Sequence, residues 1–261
     1  MRIVSIAQNV PGPVAVSRLV AAGATAIKIE APWGDPLEGL CKPWYDELHS
    51  GVQVERLDLK RAEGFDRLMT LLDRADVFLA SQRPSAMQRL HLDAMSLQGH
   101  FPTLRHVNIV GDTANPEEPG HDLTYQARAG LLNDGMPRTL LADMAGAERA
   151  YAVITDVMRE PGGGRVIGLY DVLREMAAPL RHGLTAAGGH LGGGNTAYAI
   201  YAARDGRIAV GALEPHFRAR LFEGLGLKDG DDPSGLFRTR TAIEWEAWAA
   251  SRDLPLVAIK C

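Results

Sequence analysis

Three places in the chain put an ionisable side chain beside an expected helix start or strand end. His121 and Asp122 are adjacent and precede an apolar stretch, Asp143 precedes a run of small residues, and Glu214 follows a predicted strand. A histidine and a carboxylate can pass protons to and from a substrate at neutral pH when their pKa values suit the task. Acid–base catalysis in a cleft is therefore one interpretation of these positions.

Each of these side chains also has a structural explanation. Asp122 is suited to cap the helix that follows it, because its carboxylate can accept hydrogen bonds from the first free backbone N–H groups, and we favour that role. Asp143 is equally suited to cap the next helix, and Glu214 to lie solvated at the end of its strand. A lone histidine is more often structural than catalytic, and no spacing of ligand residues indicates a metal site.

The elements that would position these residues alternate between strand and helix. Short apolar runs predict strands, and stretches with apolar side chains every three or four residues predict helices. Strand, helix and strand in succession form a βαβ unit with parallel strands, so we expect a doubly wound α/β fold. The predicted strands cover residues 2–7, 25–31, 54–59, 76–81 and 104–111. The predicted helices between them cover 11–23, 61–75 and 84–100, the last of these with a break.

The second half of the chain predicts a different organisation. Helices are expected over 123–132 and about 144–159, and a hairpin with an Asp205-Gly206 turn follows the glycine-rich stretch 186–195. That stretch precedes a hairpin rather than a helix, so a dinucleotide site is weakly supported; it serves either as a flexible link or as backbone close to a ligand. We expect a large domain over 1–185, a small α+β domain over 186–250 and a short return segment over 251–261.

Composition limits the class of protein. The 261 residues carry a net charge of -4, which gives no indication of nucleic-acid binding, and two cysteines cannot form a disulfide framework. A reducing, cytoplasmic setting is the natural expectation. No apolar run approaches 18 residues, so no membrane span is expected.

Several segments together resemble family III CoA-transferases, the CaiB/BaiF family, and within it the α-methylacyl-CoA racemases. The matching segments include "IKIEAPWGDP", "LDLKRAEGFDRLMTLLDRADVFLASQRP", "HDLTYQARAGLL", "LLADMAGA" and "AVGALEPHF", in family order. The resemblance implies a mostly parallel, Rossmann-like large domain, a small α+β domain and an interlocked homodimer. It also implies a form shortened at the C-terminus.

The resemblance assigns roles to the residues considered above. The racemase branch has "GHD", an aspartate at the place of Asp143 and a glutamate within "LEP", and this chain has His121, Asp143 and Glu214 there. It implies that His121 and Asp143 exchange a proton at Cα of an α-methylacyl-CoA through an enolate, with Glu214 orienting His121. A backbone N–H near Asp143 would stabilise the enolate oxygen.

The same resemblance identifies residues for the CoA moiety of the substrate. Lys60, Arg83 and Arg89 would meet its phosphates, and Tyr125 would form a wall of the acyl-thioester channel. No prosthetic group is expected. Departures from the family pattern are Ala31 where relatives carry arginine, and Gln82 and Ser85 beside "RP".

Three functions stay open at this point. The leading one is racemisation in acyl-CoA and lipid metabolism. The second is a CoA-transferase in which Asp143 forms an acyl anhydride and then a CoA thioester. The third is a shortened relative that binds CoA esters without turnover.

Overall fold

The computed structural model describes residues 1–133, 135–159 and 162–260. The chain divides into two compact units, Met1–Ala177 and Ala178–Cys261. Residues 178–185, assigned above to the large domain, therefore belong to the second unit. Each unit has its own hydrophobic core among the described residues.

A six-stranded sheet of parallel strands forms the centre of the first unit. Its strand order is β3-β2-β1-β4-β5-β6, so the direction of winding reverses between β1 and β4. This confirms the predicted doubly wound α/β fold. The strands are β1 (Arg2–Ser5), β2 (Thr25–Glu30), β3 (Val52–Arg56), β4 (Val77–Ala80), β5 (Arg105–Val110) and β6 (Gly163–Gly168).

Helices connect the strands and cover the sheet. Pro11 and Pro13 suit the first turn of α1, because an N–H group there has no intrahelical carbonyl to bind and proline has no N–H to leave unpaired. Asp93 caps α6 by accepting hydrogen bonds from the N–H groups of Met95 and Ser96. The helices of this unit are α1 (Pro11–Ala21), α2 (Pro36–Leu40), α3 (Lys42–Leu48), α4 (Ala62–Leu72), α5 (Pro84–Arg89), α6 (Ala94–His100), α7 (Asp122–Arg128), α8 (Leu141–Val157) and α9 (Leu169–Met176).

The second unit is built on a three-stranded antiparallel sheet. Its first two strands pair from Tyr198 with Gly211 to Ala202 with Arg207, which confirms the predicted hairpin. The third strand, near the chain end, pairs with the second, so the segment predicted as a return segment contributes to this sheet. The elements are α10 (Ala178–Arg181), β7 (Tyr198–Ala202), β8 (Arg207–Gly211), α11 (Pro215–Leu225), α12 (Ser234–Phe237), α13 (Ala242–Ala250) and β9 (Leu256–Ala258).

Two helices, α7 and α8, have boundaries that differ from the predictions in a way that matters for function. α7 begins at Asp122 and ends at Arg128, and α8 begins at Leu141. The apolar pattern alone could not locate the start of α8, because the helix is capped by a side chain distant in sequence. α2 and α3 were not predicted, since each is short and begins at or beside a proline.

Candidate active site

A pocket opens in the first unit at the carboxyl ends of β1, β4 and β5, and we call it the His–Asp pocket. Its cavity volume is ≈ 170 Å³, and its lining includes Gln8, Asn9, Ser81, Arg83, His121, Tyr125 and Asp143. In a doubly wound sheet the crevice at the winding reversal is where ligands bind, because the loops after the two central strands diverge there. The topology therefore brings His121 and Asp143, 22 residues apart in sequence, into one pocket.

His121 occupies the N-cap position of α7. Its backbone is extended (φ -139, ψ 166), and its N–H donates to Thr124 Oγ1 at 3.0 Å while Thr124 Oγ1 donates to His121 O at 2.8 Å. These two bonds fix the helix entrance without using the imidazole. The ring is exposed and lines the pocket, where it is available for proton transfer.

The expectation that Asp122 caps its own helix is wrong. Asp122 is the first residue of α7, and its buried carboxylate Oδ1 accepts from the backbone N–H groups of Ala142 at 2.6 Å and Asp143 at 3.1 Å. It therefore caps α8, which otherwise has no side-chain cap at its N-cap Leu140. Gln126 Nε2 donates to the other oxygen at 2.6 Å and completes the carboxylate's hydrogen bonding.

Asp143 lies in the first turn of α8, and the alternative that it caps this helix is also wrong, since the N-cap residue is Leu140. Burial raises the pKa of the Asp143 carboxyl to about 7, and the negative charge of Asp122 adds to the rise. A carboxyl with this pKa exists in both protonation states at neutral pH. It can therefore both give and take a proton.

The backbone donors expected to stabilise an enolate near Asp143 are already engaged. The N–H groups of Ala142 and Asp143 both donate to Asp122. The prediction that a backbone N–H at this helix start meets the enolate oxygen is therefore wrong for these two groups. The reason is that the Asp122 carboxylate occupies these two N–H groups, so neither is free to bind a ligand.

Glu214 belongs to the second unit. It is exposed and precedes α11, with no side-chain hydrogen bond to the helix start. The structural explanation given above, a solvated carboxylate, agrees with that exposure. Its proposed influence on His121 stays a prediction.

Two further cavities adjoin the pocket through shared lining residues, and basic side chains line them. A second cavity of ≈ 200 Å³, lined by Trp33 and Lys60, shares Gln8 with the His–Asp pocket. A third, of ≈ 540 Å³, shares Lys60 and adds Arg61 and Arg89. We call these two cavities the basic groove; Lys60 and Arg89 lie together in it, whereas Arg83 lines the His–Asp pocket itself.

Asn9 lines the pocket but was not predicted as a site residue. It has a left-handed backbone (φ 63), and its N–H donates to both oxygens of Asp35 at 3.1 and 3.2 Å. Asp35 is buried and paired with Lys28 Nζ at 2.5 Å, which also contacts His49 Nε2 at 2.9 Å. A charged network inside the unit thus holds one wall of the pocket.

The described residues indicate neither a metal centre nor a membrane segment. Across residues 1–133, 135–159 and 162–260, no three or more histidine, cysteine or carboxylate side chains are grouped to hold a metal ion. In the same ranges, no helix has the length and apolar character needed to cross a bilayer.

Comparison with known proteins decides the family. Residues 1–253 match the model of CoA-transferase family III. The chain belongs to CoA-transferase family III. This family is enzymatic, and its members related to this chain include both racemases and CoA-transferases.

Among curated members of the family, the human α-methylacyl-CoA racemase is 31% identical over 266 residues, which is 89% of this chain and 65% of that protein. The mouse racemase is 29% identical over 90% of this chain and 66% of that protein. A probable fatty acyl-CoA transferase of Mycobacterium tuberculosis is 27% identical over 66% of the chain and 50% of that protein. The chain thus spans about two thirds of the length of the racemases it matches.

The solved structure of a hypothetical protein (Rv3272) from Mycobacterium tuberculosis matches the whole chain. The TM-score is 0.83 at 22% sequence identity, covering 100% of this chain and 82% of that one. At this identity the match establishes the fold, which is that of CoA-transferase family III.

Proposed function

We propose that this protein racemises α-methylacyl-CoA thioesters by two-base proton transfer at the α-carbon. The observation that carries the proposal is Asp143, which shares a pocket with His121 and has a carboxyl pKa raised to about 7. One residue removes the α-proton while the other supplies a proton from the other side, and the roles reverse for the other enantiomer. The similarity to two racemases supports the same assignment.

The geometry of the basic groove supports a CoA ester as substrate. We propose that the phosphates lie at Lys60 and Arg89, that pantetheine runs past Trp33, and that the thioester reaches the His–Asp pocket, with Arg83 near its entrance. Trp33 is 78% exposed and offers an aromatic surface beside Ala31. Glu214 would support His121, and two chains would form a homodimer.

Deuterium exchange tests the proposal. Either enantiomer of a branched acyl-CoA, incubated in heavy water, is expected to gain deuterium at Cα and to racemise. His121→Ala and Asp143→Ala are each expected to lose exchange from one enantiomer preferentially, because each removes one of the two bases. Wild-type protein that exchanges no branched acyl-CoA would overturn the proposal.

CoA transfer is the second candidate. The similarity to a probable fatty acyl-CoA transferase favours it, and Asp143 would then be the nucleophile that forms a mixed anhydride. The raised pKa of Asp143 is compatible with both roles, because part of the carboxyl is ionised at neutral pH. Trapping with hydroxylamine separates the two: a transferase yields a modified Asp143 and a racemase does not.

Binding without turnover is the third candidate. It predicts calorimetric binding of acetyl-CoA with neither exchange nor a trapped adduct. Measurable turnover in either assay would exclude it.

A further inference from the structure

Tyr125 has an environment that packing alone does not explain. It is 7% exposed, lies one turn after His121 in α7, and its backbone N–H donates to His121 O at 3.1 Å. The helix therefore fixes the tyrosine relative to one of the two proposed bases. Its ring lines the His–Asp pocket.

Two glycines make room for the phenol. A Cβ placed on Gly120 would lie 2.5 Å from Tyr125 Oη, and a Cβ on Gly111 would also overlap that oxygen. Gly111 is itself held in place, since its carbonyl accepts from Tyr170 N at 2.8 Å. The hydroxyl thus occupies a position that only glycine at both places leaves open.

Tyr125 is a buried residue, but its hydroxyl is not one of the fully buried, unpartnered polar atoms of the described residues; with no hydrogen bond to them, it faces the open space of the His–Asp pocket. A donor that reaches the pocket without a protein partner is available to a ligand, and a ligand that accepts its hydrogen bond gains affinity at this position. Burial raises the pKa of Tyr125, and among neighbouring charges that of Asp143 raises it most. The phenol therefore stays protonated and lies close to the Asp143 carboxyl.

We propose that the Tyr125 hydroxyl donates a hydrogen bond to the thioester carbonyl oxygen of the substrate and stabilises the enolate that forms when Cα loses its proton. Such a donor is needed because negative charge develops on that oxygen. The backbone N–H groups of Ala142 and Asp143 are engaged by Asp122 and cannot serve. This inference rests on the proposed function, and it makes Tyr125 a catalytic residue rather than a channel wall.

The role of Tyr125 can be tested by measuring the polarisation of the bound thioester carbonyl independently of turnover. Isobutyryl-CoA labelled with carbon-13 at the thioester carbonyl is bound to the full chain, and isotope-edited infrared spectroscopy measures its C=O stretch. This substrate has an α-methyl group but no stereocentre at Cα, so its carbonyl reports the site without net reaction. We expect a lower frequency than in solution for wild type, and the solution value for Tyr125→Phe.

A matched control and a second readout complete the experiment. Tyr151→Phe, on α8 and outside the pocket lining, is expected to keep the wild-type frequency and exchange rate. Tyr125→Phe is expected to slow α-deuterium exchange roughly a hundredfold at saturating substrate. If Tyr125→Phe fails to fold, 3-fluorotyrosine at position 125 takes its place; its more acidic phenol should lower the carbonyl frequency further.

Each outcome separates the two proposals. A wild-type frequency shift that survives in Tyr125→Phe, or no change with fluorotyrosine, overturns the role of Tyr125. A shift that depends on Tyr125 without deuterium exchange overturns the racemase proposal and leaves Tyr125 as the carbonyl donor. Failure of wild type to bind isobutyryl-CoA overturns both.

Discussion

Asp122 connects the two ends of the proposed catalytic machinery at the scale of single residues. It follows His121 directly, and its carboxylate binds the backbone N–H of Asp143. One buried charge therefore fixes the start of α8 and also acts on the acid–base group there. A substitution at Asp122 can therefore change the pKa of Asp143 even if Asp122 does not touch the substrate.

Replacing that charge should lower the pKa of Asp143. In Asp122→Asn an oxygen can still accept from Ala142 and Asp143, but the negative charge is gone. The pKa is expected to fall from about 7 and to stay above the usual 3.8, because burial is the larger cause of the shift. Carbon-13 NMR of the Asp143 carboxyl measures it directly. Glu118→Gln, which also removes a charge from the pocket lining, is the control and should leave the pKa unchanged.

The raised pKa of Asp143 also predicts how stability varies with pH. The folded state binds this proton more tightly than the unfolded state, where the pKa is 3.8, so the contribution is present at low pH and is lost as pH rises through about 7. Between pH 5 and pH 8 the wild type should lose about 3 kcal/mol of unfolding free energy relative to Asp143→Asn. Urea unfolding at both pH values measures the difference, and parallel pH profiles would contradict the assignment.

The residue types were enough to identify candidate site residues in the sequence. Their roles, however, depend on the hydrogen-bond and charge partners that the fold brings next to them. His121 and Asp143 stood out because of what they are and where their helices begin. The role of Asp122 depends on a backbone 20 residues away. Lys28 and Glu30 looked like ordinary strand residues, yet each is nearly fully buried, with 2% and 1% exposed. The sequence around Lys28 and Glu30 does not indicate that the fold buries both of these charges.

At the scale of elements, the contact between β1 and α1 sets the shape of the pocket. Gly12 in the first turn of α1 packs against Ala7, which follows β1, so closely that a Cβ at position 12 would overlap the alanine Cβ. The intervening residues include Gln8 and Asn9 of the pocket lining. The close approach therefore determines where this wall stands.

Gly12→Ala is expected to destabilise the protein by about 1–3 kcal/mol, because the helix must move away from the strand. Gly39→Ala is the matched control: position 39 is also helical, lies in α2 and has open space around it. That substitution should be neutral or stabilise by up to about 1 kcal/mol, since alanine favours helix. Thermal unfolding of both variants checks the prediction, and equal effects would contradict it.

Elements with strong periodicity were predicted well. The strands of the parallel sheet are short apolar runs, and the longer helices between them have the expected spacing, so the alternation of strands and longer helices followed from pattern alone. The order of strands did not, because it depends on which strands pair. Had the reversal between β1 and β4 been assumed, the residues after both strands, Gln8 and Ser81 among them, could have been predicted as pocket lining.

At the scale of the whole molecule, the described core residues separate into clusters that do not mix the two units. Two clusters lie within Met1–Ala177 and the third within Ala178–Cys261. Both the His–Asp pocket and the basic groove belong to the first unit. Glu214 belongs to the second. The proposed CoA-binding residues therefore all lie in the first unit, whereas the proposed role of Glu214 involves a residue of the second.

A fragment of residues 1–177 is therefore expected to fold cooperatively and to bind CoA esters by itself. Calorimetry should give it a dissociation constant close to that of the whole chain, because Lys60, Arg89 and the pocket are all present. Its α-deuterium exchange should be slower than that of the whole chain if Glu214 supports His121 as proposed. Glu214→Gln in the whole chain is the control and should reproduce the slower exchange with unchanged binding. A folded fragment that exchanges as fast as the whole chain would remove Glu214 from the mechanism, and one that folds without binding would show that the first unit does not hold the CoA site alone.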